Sequence, residues 1–339
     1  MQNQIKEACR LLDSKGSLLQ PGFATYPYFE YHRKDIKASI WRIKEWDYYA
    51  VLNQDYGITC TVADLGYSAM LTVVFLDFKK PSLQMKTKLL WFTFGKMNMP
   101  SSSLEGNVRY ISKDYQFEFI RKESGREIKL KVNQFYRGEP LVAHLILDDL
   151  KDDSMVIATP WKENPKAFYY NQKINCMPSS GVVKIGSETY EFNNNSSFAV
   201  LDWGRGVWTY KNTWYWSSLS SVVGDKRVGF NLGYGFGDTS KATENMVFVD
   251  GKAYKLDQVS FEFNHQNHME TWHITDNEGK LDLVMTPIID RMDNINFGII
   301  KNFGHQVFGS FCGTIKLSSK LVLNLNNVIG FAEEITNHY

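Results

Sequence analysis

Between Leu201 and Ser218 the chain reads LDWGRGVWTYKNTWYWSS, which sets Asp202 and Arg205 among Trp203, Trp208, Trp214 and Trp216. A carboxylate held by a guanidinium beside aromatic rings would place a fixed charge at a cavity wall. The ring faces would stabilise positive charge that develops there. The competing reading is a structural ion pair at a strand bend, with tryptophans that fill a core. Further on, VGFNLGYGFGDTS carries an alternating apolar face from Val228 through Tyr234 and Phe236 to Asp238, and Thr243, Glu244 and Asn245 follow closely. A carboxyl at the mouth of an apolar cavity is desolvated, so its pKa rises and it can hand a proton to a bound molecule. A turn carboxylate accepting from backbone N–H groups is the alternative of equal weight.

These residue types define an acid–base site. Asp238 or Asp202 is the acid, Arg205 orients it, and Glu244 is a partner carboxyl. With Asp238 desolvated and Asp202 tied to Arg205, the two pKa values move apart, as a proton donor and an electrostatic stabiliser require. The candidate binding rings are Trp203, Trp208, Tyr210, Trp214, Trp216 and Tyr234, with Asn245 and His305 as polar contacts.

Other chemistries fit less well. GYGFGD has the glycines of a phosphate loop, but they alternate along a strand and no helix pattern follows. On that strand Gly229, Asn231, Gly233, Gly235 and Gly237 form a nearly bare face, which admits a ligand or a neighbouring backbone, or relieves a bend. His265, His268 and His273 lack the spacing of a metal set. No G-x-S-x-G elbow or Cys–His signature is present. The expected site therefore uses neither metal nor cofactor.

The elements that must position these groups are strands. Tyr115, Phe117 and Phe119 share one face of DYQFEFI, and such period-two runs recur along the chain. They are separated by Ser124-Gly125, Gly224-Asp225, Asp250-Gly251 and Glu278-Gly279, each suited to a tight hairpin. Aromatic residues at 14% favour strands as well. The pattern predicts an all-β chain, with at most a helical turn or two at Ile5, Cys9 and Leu12. The acidic cluster Asp148, Asp149, Asp152 and Asp153, followed by Pro160 and Pro165, reads as a surface connection. It predicts β domains over 1–155 and 156–339, the second carrying the site.

A net charge of +1, without a long basic run, argues against nucleic acid as a partner. No apolar run approaches the ~20 residues of a membrane helix. The opening MQNQIKEACRLLDSKG lacks the apolar core of a signal peptide. With four scattered cysteines, the expectation is a cytoplasmic protein with reduced thiols. The oligomeric state is left open.

Several segments together carry a resemblance. FYYNQKINCMPSSG, FAVLDWGRGVWTYKNTWYWSS, FNLGYGFGDTSKATENMVFVDGK, MTPIIDR, GHQVFGSFCG and GFAEE resemble, in this order, a bacterial family catalogued as domain of unknown function 2804. More distantly the chain is similar to the lipocalin-like group of AttH-type proteins and carotenoid hydratases (hydroxyneurosporene synthase). That resemblance implies two lipocalin-like antiparallel β-barrels in tandem, with a ligand cavity near their junction. In the hydratases an aspartic acid protonates an alkene beside aromatic rings, a role that falls here to Asp202 or Asp238. The expected function is a cofactor-independent hydratase, dehydratase or isomerase acting on an apolar, partly unsaturated small molecule. Two rivals stand beside it: a non-catalytic lipid or pigment binder, and a carbohydrate-active protein using tryptophan platforms and paired carboxylates.

Overall fold

Strands form wherever the alternation is strong. The structure, a computed structural model describing residues 2–338 apart from 298 and 299, is all-β, with 65% strand and 2% helix. The helical turn expected near the amino terminus is absent. Cys9–Arg10 instead runs as a short strand parallel to Phe29–Glu30, while Ile5, Leu11 and Leu12 are buried. A helix of a dozen residues is marginal by itself, so burial of these side chains decides the local structure.

Among the described residues, thirteen strands form one sheet and nine form another. Each curls into an antiparallel half-barrel, so the chain is a tandem of lipocalin-like barrels. The expected hairpins set the order within the meanders. Asp250 and Gly251, at φ 48° and 83°, join Met246–Val249 to Lys252–Lys255 in a two-residue turn with both residues left-handed.

The division between sheets falls elsewhere than the acidic connection. Asp148 to Asp153 links Glu139–Asp148 to Met155–Trp161, and both strands belong to the first sheet. The chain passes to the second sheet between Val207 and Lys211. Ile43–Leu52 pairs along its whole length with Phe198–Val207, which pairs in turn with Asn164–Ile185. Strands on both sides of residue 155 thus share one sheet, and that pairing protects what would otherwise be an open edge.

Phe198–Val207 is buried at every position, as expected for a central strand covered on both faces. One large core joins the sheets, reaching from Val62 and Leu201 in the first to Phe308 and Phe331 in the second. A second core, with Phe230, Trp272 and Phe311, fills the second barrel. The centre of the second sheet therefore faces its own barrel on one side and the first sheet on the other.

Candidate active site

Register places two polar rows opposite each other. In the first sheet Lys173, Asp202, Tyr48 and Thr61 are successive cross-strand partners. In the second, Trp216, Glu333, Gln306 and Arg291 are successive partners. All eight line a cavity of about 260 Å³ between the sheets. Strand alternation turns every second side chain toward this space, which is why residues distant in sequence meet there.

The centre of the site is an ion pair. Lys173 Nζ lies 2.8 Å from Asp202 Oδ2 and 3.9 Å from the centroid of the Trp216 ring. Asn171 Nδ2 donates to Asp202 Oδ1 at 2.6 Å. On the facing sheet the Trp214 indole N–H donates to Glu333 Oε1 and the Gln306 amide to Glu333 Oε2, both at 3.0 Å. Gln306 Oε1 in turn accepts from Arg291 Nη1 at 3.0 Å, and the Tyr48 hydroxyl donates to it at 3.4 Å.

The remaining wall is aromatic. Tyr169 stacks on Phe236 with centroids 4.7 Å apart, and Trp208 meets Trp214 edge-on at 5.2 Å. Trp46 stacks on Tyr169 across Gly204, where any Cβ would overlap its indole. That glycine lets a large ring lie flat on the sheet.

Two carboxyls here hold protons unusually tightly. Burial pushes Glu333 from an ordinary 4.5 up to about 7; the Trp214 hydrogen bond and the Lys173 charge pull it back, and Asp202 adds to the rise. Glu244 is likewise raised by burial to about 7, opposed by Lys173 and reinforced by Asp202. The Tyr169 hydroxyl donates to Glu244 Oε2 at 3.2 Å, so Glu244 stands behind that ring. At the cavity edge, burial lowers Lys44 from 10.5 to about 7 while its Nζ donates to the carbonyls of Trp41 and Leu65.

Three sequence expectations need correction. Asp238 is not a desolvated acid: it accepts from Ser240 N–H at 3.0 Å, lies 3.6 Å from Lys162, and has its pKa lowered, chiefly by the Ser240 hydrogen bond. The strand ends at Tyr234, and Gly235 (φ 95°) breaks the alternation, so Tyr234, Phe236 and Asp238 do not share a face. Asp202 and Arg205 do not pair, because residues three apart on a strand point to opposite faces. Arg205 is fully buried beneath the sheet, bonded to Asp47 at 3.0 Å and stacked on Trp203 at 4.0 Å. The site is also not confined to residues after 155, since Trp46, Tyr48 and Thr61 come from the amino-terminal part.

The other candidates divide. Trp208, Trp214 and Trp216 line the cavity, whereas Trp203 packs against Tyr31 and Tyr170 on the far side of the sheet. Tyr210 is exposed and lies over Arg42 and beside His338. Tyr234 stacks on Tyr215 at the second core. Asn245 accepts from Gly233 N–H and donates to the Asp257 carbonyl, tying a loop to a strand. His305 bonds Asp290 at 2.7 Å and stacks on His268. The bare glycine face admits protein groups: a Cβ at Gly229 would strike Cys176 Sγ, and one at Gly233 would strike Glu244 Oε1.

Composition and local spacing do not mark Lys173, Glu333, Gln306 and Arg291 as site residues. Each lies in a segment that carries the resemblance: FYYNQKINCMPSSG, GFAEE, GHQVFGSFCG and MTPIIDR. That shared membership was the available signal. Their separation along the chain hid the constellation.

The fold and cavity define a class: tandem lipocalin-like barrels with a mixed aromatic and ionisable site where the two sheets meet. The chain belongs to the family described as domain of unknown function (DUF2804), whose model matches residues 2–339. Among solved structures it is similar in fold to kievitone hydratase from Nectria haematococca, with 11% identity, TM-score 0.54, and coverage of 86% of this chain and 88% of that one. It is also similar to a putative AttH protein from Nitrosomonas europaea, with 14% identity, TM-score 0.53, and coverage of 93% and 99%. No curated protein sequence matches it.

Proposed function

We propose that the protein is a cofactor-independent acid–base enzyme that hydrates, dehydrates or isomerises a carbon–carbon double bond. Its substrate is an apolar, partly unsaturated small molecule held between the sheets. One observation carries this reading. Both Glu333 oxygens already accept from protein donors, Trp214 and Gln306, inside the aromatic cavity. When Glu333 is protonated, its O–H is therefore left to face the occupant of the cavity. A carboxyl with a pKa near 7 is well matched to proton transfer at neutral pH.

In the hydration direction Glu333 gives its proton to one alkene carbon. Water adds to the adjacent carbon, and the Asp202 carboxylate takes the second proton of that water. The Trp214 and Trp208 rings face the positive charge as it develops. Return of the proton from Asp202 to Glu333 through solvent closes the cycle, with net addition of H and OH. Dehydration is the reverse, and isomerisation removes a proton from a different carbon. That one protein of this fold is a hydratase is in keeping with this chemistry.

A binder would need the aromatic walls but not a buried carboxyl of raised pKa aimed at the ligand. The carbohydrate rival asks for two carboxylates flanking an open cleft, whereas Glu333 and Asp202 are both buried, at 4% and 8% exposed.

The test begins with mass spectrometry of small molecules carried by gently purified protein, followed by incubation of those compounds in D2O. Catalysis places deuterium on carbon, and Glu333→Gln slows incorporation by ~100-fold or more while ligand binding persists. Ligand retained without any carbon-bound deuterium would make the protein a binder. Undiminished incorporation in the variant would remove Glu333 from the mechanism.

A further inference from the structure

We propose that the protein docks on an anionic lipid bilayer through the surface formed by Ile40, Trp41, Phe92 and Phe94, beside the aromatic cavity. The docking does not depend on the chemistry at Glu333. Only its use, the delivery of an apolar ligand, rests on the proposed function.

The apolar side chains are displayed rather than packed away. Ile40 and Trp41 are each 50% exposed, and Phe92 is 60% exposed. Trp41 meets Phe94 edge-on at 4.9 Å, and Phe94 lies 6.2 Å from Phe92, so the rings form one patch. The backbone is built to hold them there. Phe92 and Phe94 both take left-handed conformations, at φ 59° and 49°, which are costly for a residue with a Cβ. Their N–H groups donate to the carbonyls of Tyr67 and Gly66, both at 2.7 Å. Beneath them the buried Asp64 accepts from Thr93 Oγ1 at 3.0 Å and from Gly95 N–H at 2.9 Å. A turn fixed this firmly keeps two phenylalanines at the solvent boundary, which is the mark of an interaction surface.

Charge selects the partner. Arg33 pairs with Glu45 and packs against Gly95, which brings the segment carrying Lys34 and Lys37 up to the turn carrying Lys96. These three lysines are exposed and form no ion pair among the described residues. Asp35, the one acid in residues 33–41 and 91–96, is engaged by Arg10 at 3.1 Å. Lysines beside exposed aromatic and aliphatic side chains match a bilayer with acidic headgroups. There the rings enter the headgroup region and the ammonium groups meet the phosphates. Ile40 gains burial in lipid, whereas a nucleic acid backbone offers it nothing.

The place of the patch also suits an apolar occupant of the cavity. Trp91, next in the chain to Phe92, is 54% exposed and lines the aromatic cavity. Tyr67, whose carbonyl holds Phe92, lines it too. A ligand leaving the bilayer at this patch therefore meets the cavity wall directly.

The test is co-sedimentation of the full chain with vesicles of equal parts phosphatidylcholine and phosphatidylglycerol, and with vesicles of phosphatidylcholine alone. The expected result is saturable binding to the acidic vesicles, weakened by salt and at least tenfold weaker on the neutral ones. Trp41→Ser with Phe92→Asn should weaken binding at least tenfold; asparagine tolerates the left-handed conformation, so the turn is kept. Lys34→Gln with Lys96→Gln should remove most of the preference for acidic lipid, and Glu333→Gln should bind as the wild type does. Vesicle binding is read without a substrate, so it stands or falls apart from the acid–base reading. If the aromatic variant does not fold, the lysine variant and the wild-type comparisons still decide. Absence of vesicle binding, equal binding to the two vesicle types, or undiminished binding in both double variants would each overturn the proposal. So would a dimer in ultracentrifugation that the aromatic variant dissolves, or tighter binding of a single-stranded oligonucleotide through the same residues.

Discussion

Replacing Glu333 with Gln tests the electrostatics of the site without a substrate. Burial raises this carboxyl from 4.5 to about 7, so the folded protein holds the proton more tightly than the unfolded chain does. The resulting stabilisation is full below about 4.5 and is lost as pH rises through about 7. At about 1.4 kcal/mol per pH unit, the wild type loses about 3 kcal/mol through this group across that interval. Gln keeps the size of the protonated acid and has no proton to lose. Glu244 shows a similar rise but is present in both proteins, so to first order it cancels from the comparison. Urea unfolding at 25 °C from pH 4.5 to 8 should therefore show the stability difference moving by about 3 kcal/mol in favour of Glu333→Gln as pH rises. A difference that stays constant, or moves toward the wild type, would refute the assignment of Glu333 as a buried proton carrier.

Three further outcomes follow from the geometry. Lys173→Met leaves the buried Asp202 without its ion partner and should cost about 3–5 kcal/mol in urea unfolding; adding Asp202→Asn should recover part of that loss. Gly204→Ala puts a methyl group into the space of the Trp46 ring, so it should destabilise by about 1–3 kcal/mol and weaken quenching of tryptophan fluorescence by cavity ligands. Asp238→Asn removes a charge beside Lys162 outside the cavity and keeps an acceptor for Ser240 N–H, so deuterium incorporation should be unchanged and calorimetry should show only a small drop in Tm.

Much of the architecture was legible because strand signals are local. Alternating faces and left-handed turn residues act over two to four positions, and Asp250-Gly251 forms the hairpin its residue types require. The same period of two excludes an Asp202–Arg205 pair, because their odd separation sends them to opposite faces. The aromatic stretch is both a wall and a core: Trp208, Trp214 and Trp216 line the cavity while Trp203 packs behind the sheet.

Tertiary structure decided what no short window contains. Lys173 meets Asp202 because their strands pair in one register, and Glu333 meets Gln306 and Arg291 by the same means in the other sheet. The two rows confront each other only when the sheets pack. The fate of Asp238 turned on where its strand ends, and the raised pKa values of Glu333 and Glu244 on how deeply packing buries them. Sequence determines which side chains share a face of a strand. Which faces meet, and how dry the space between them becomes, depends on long-range pairing and burial that the order of residues does not display locally.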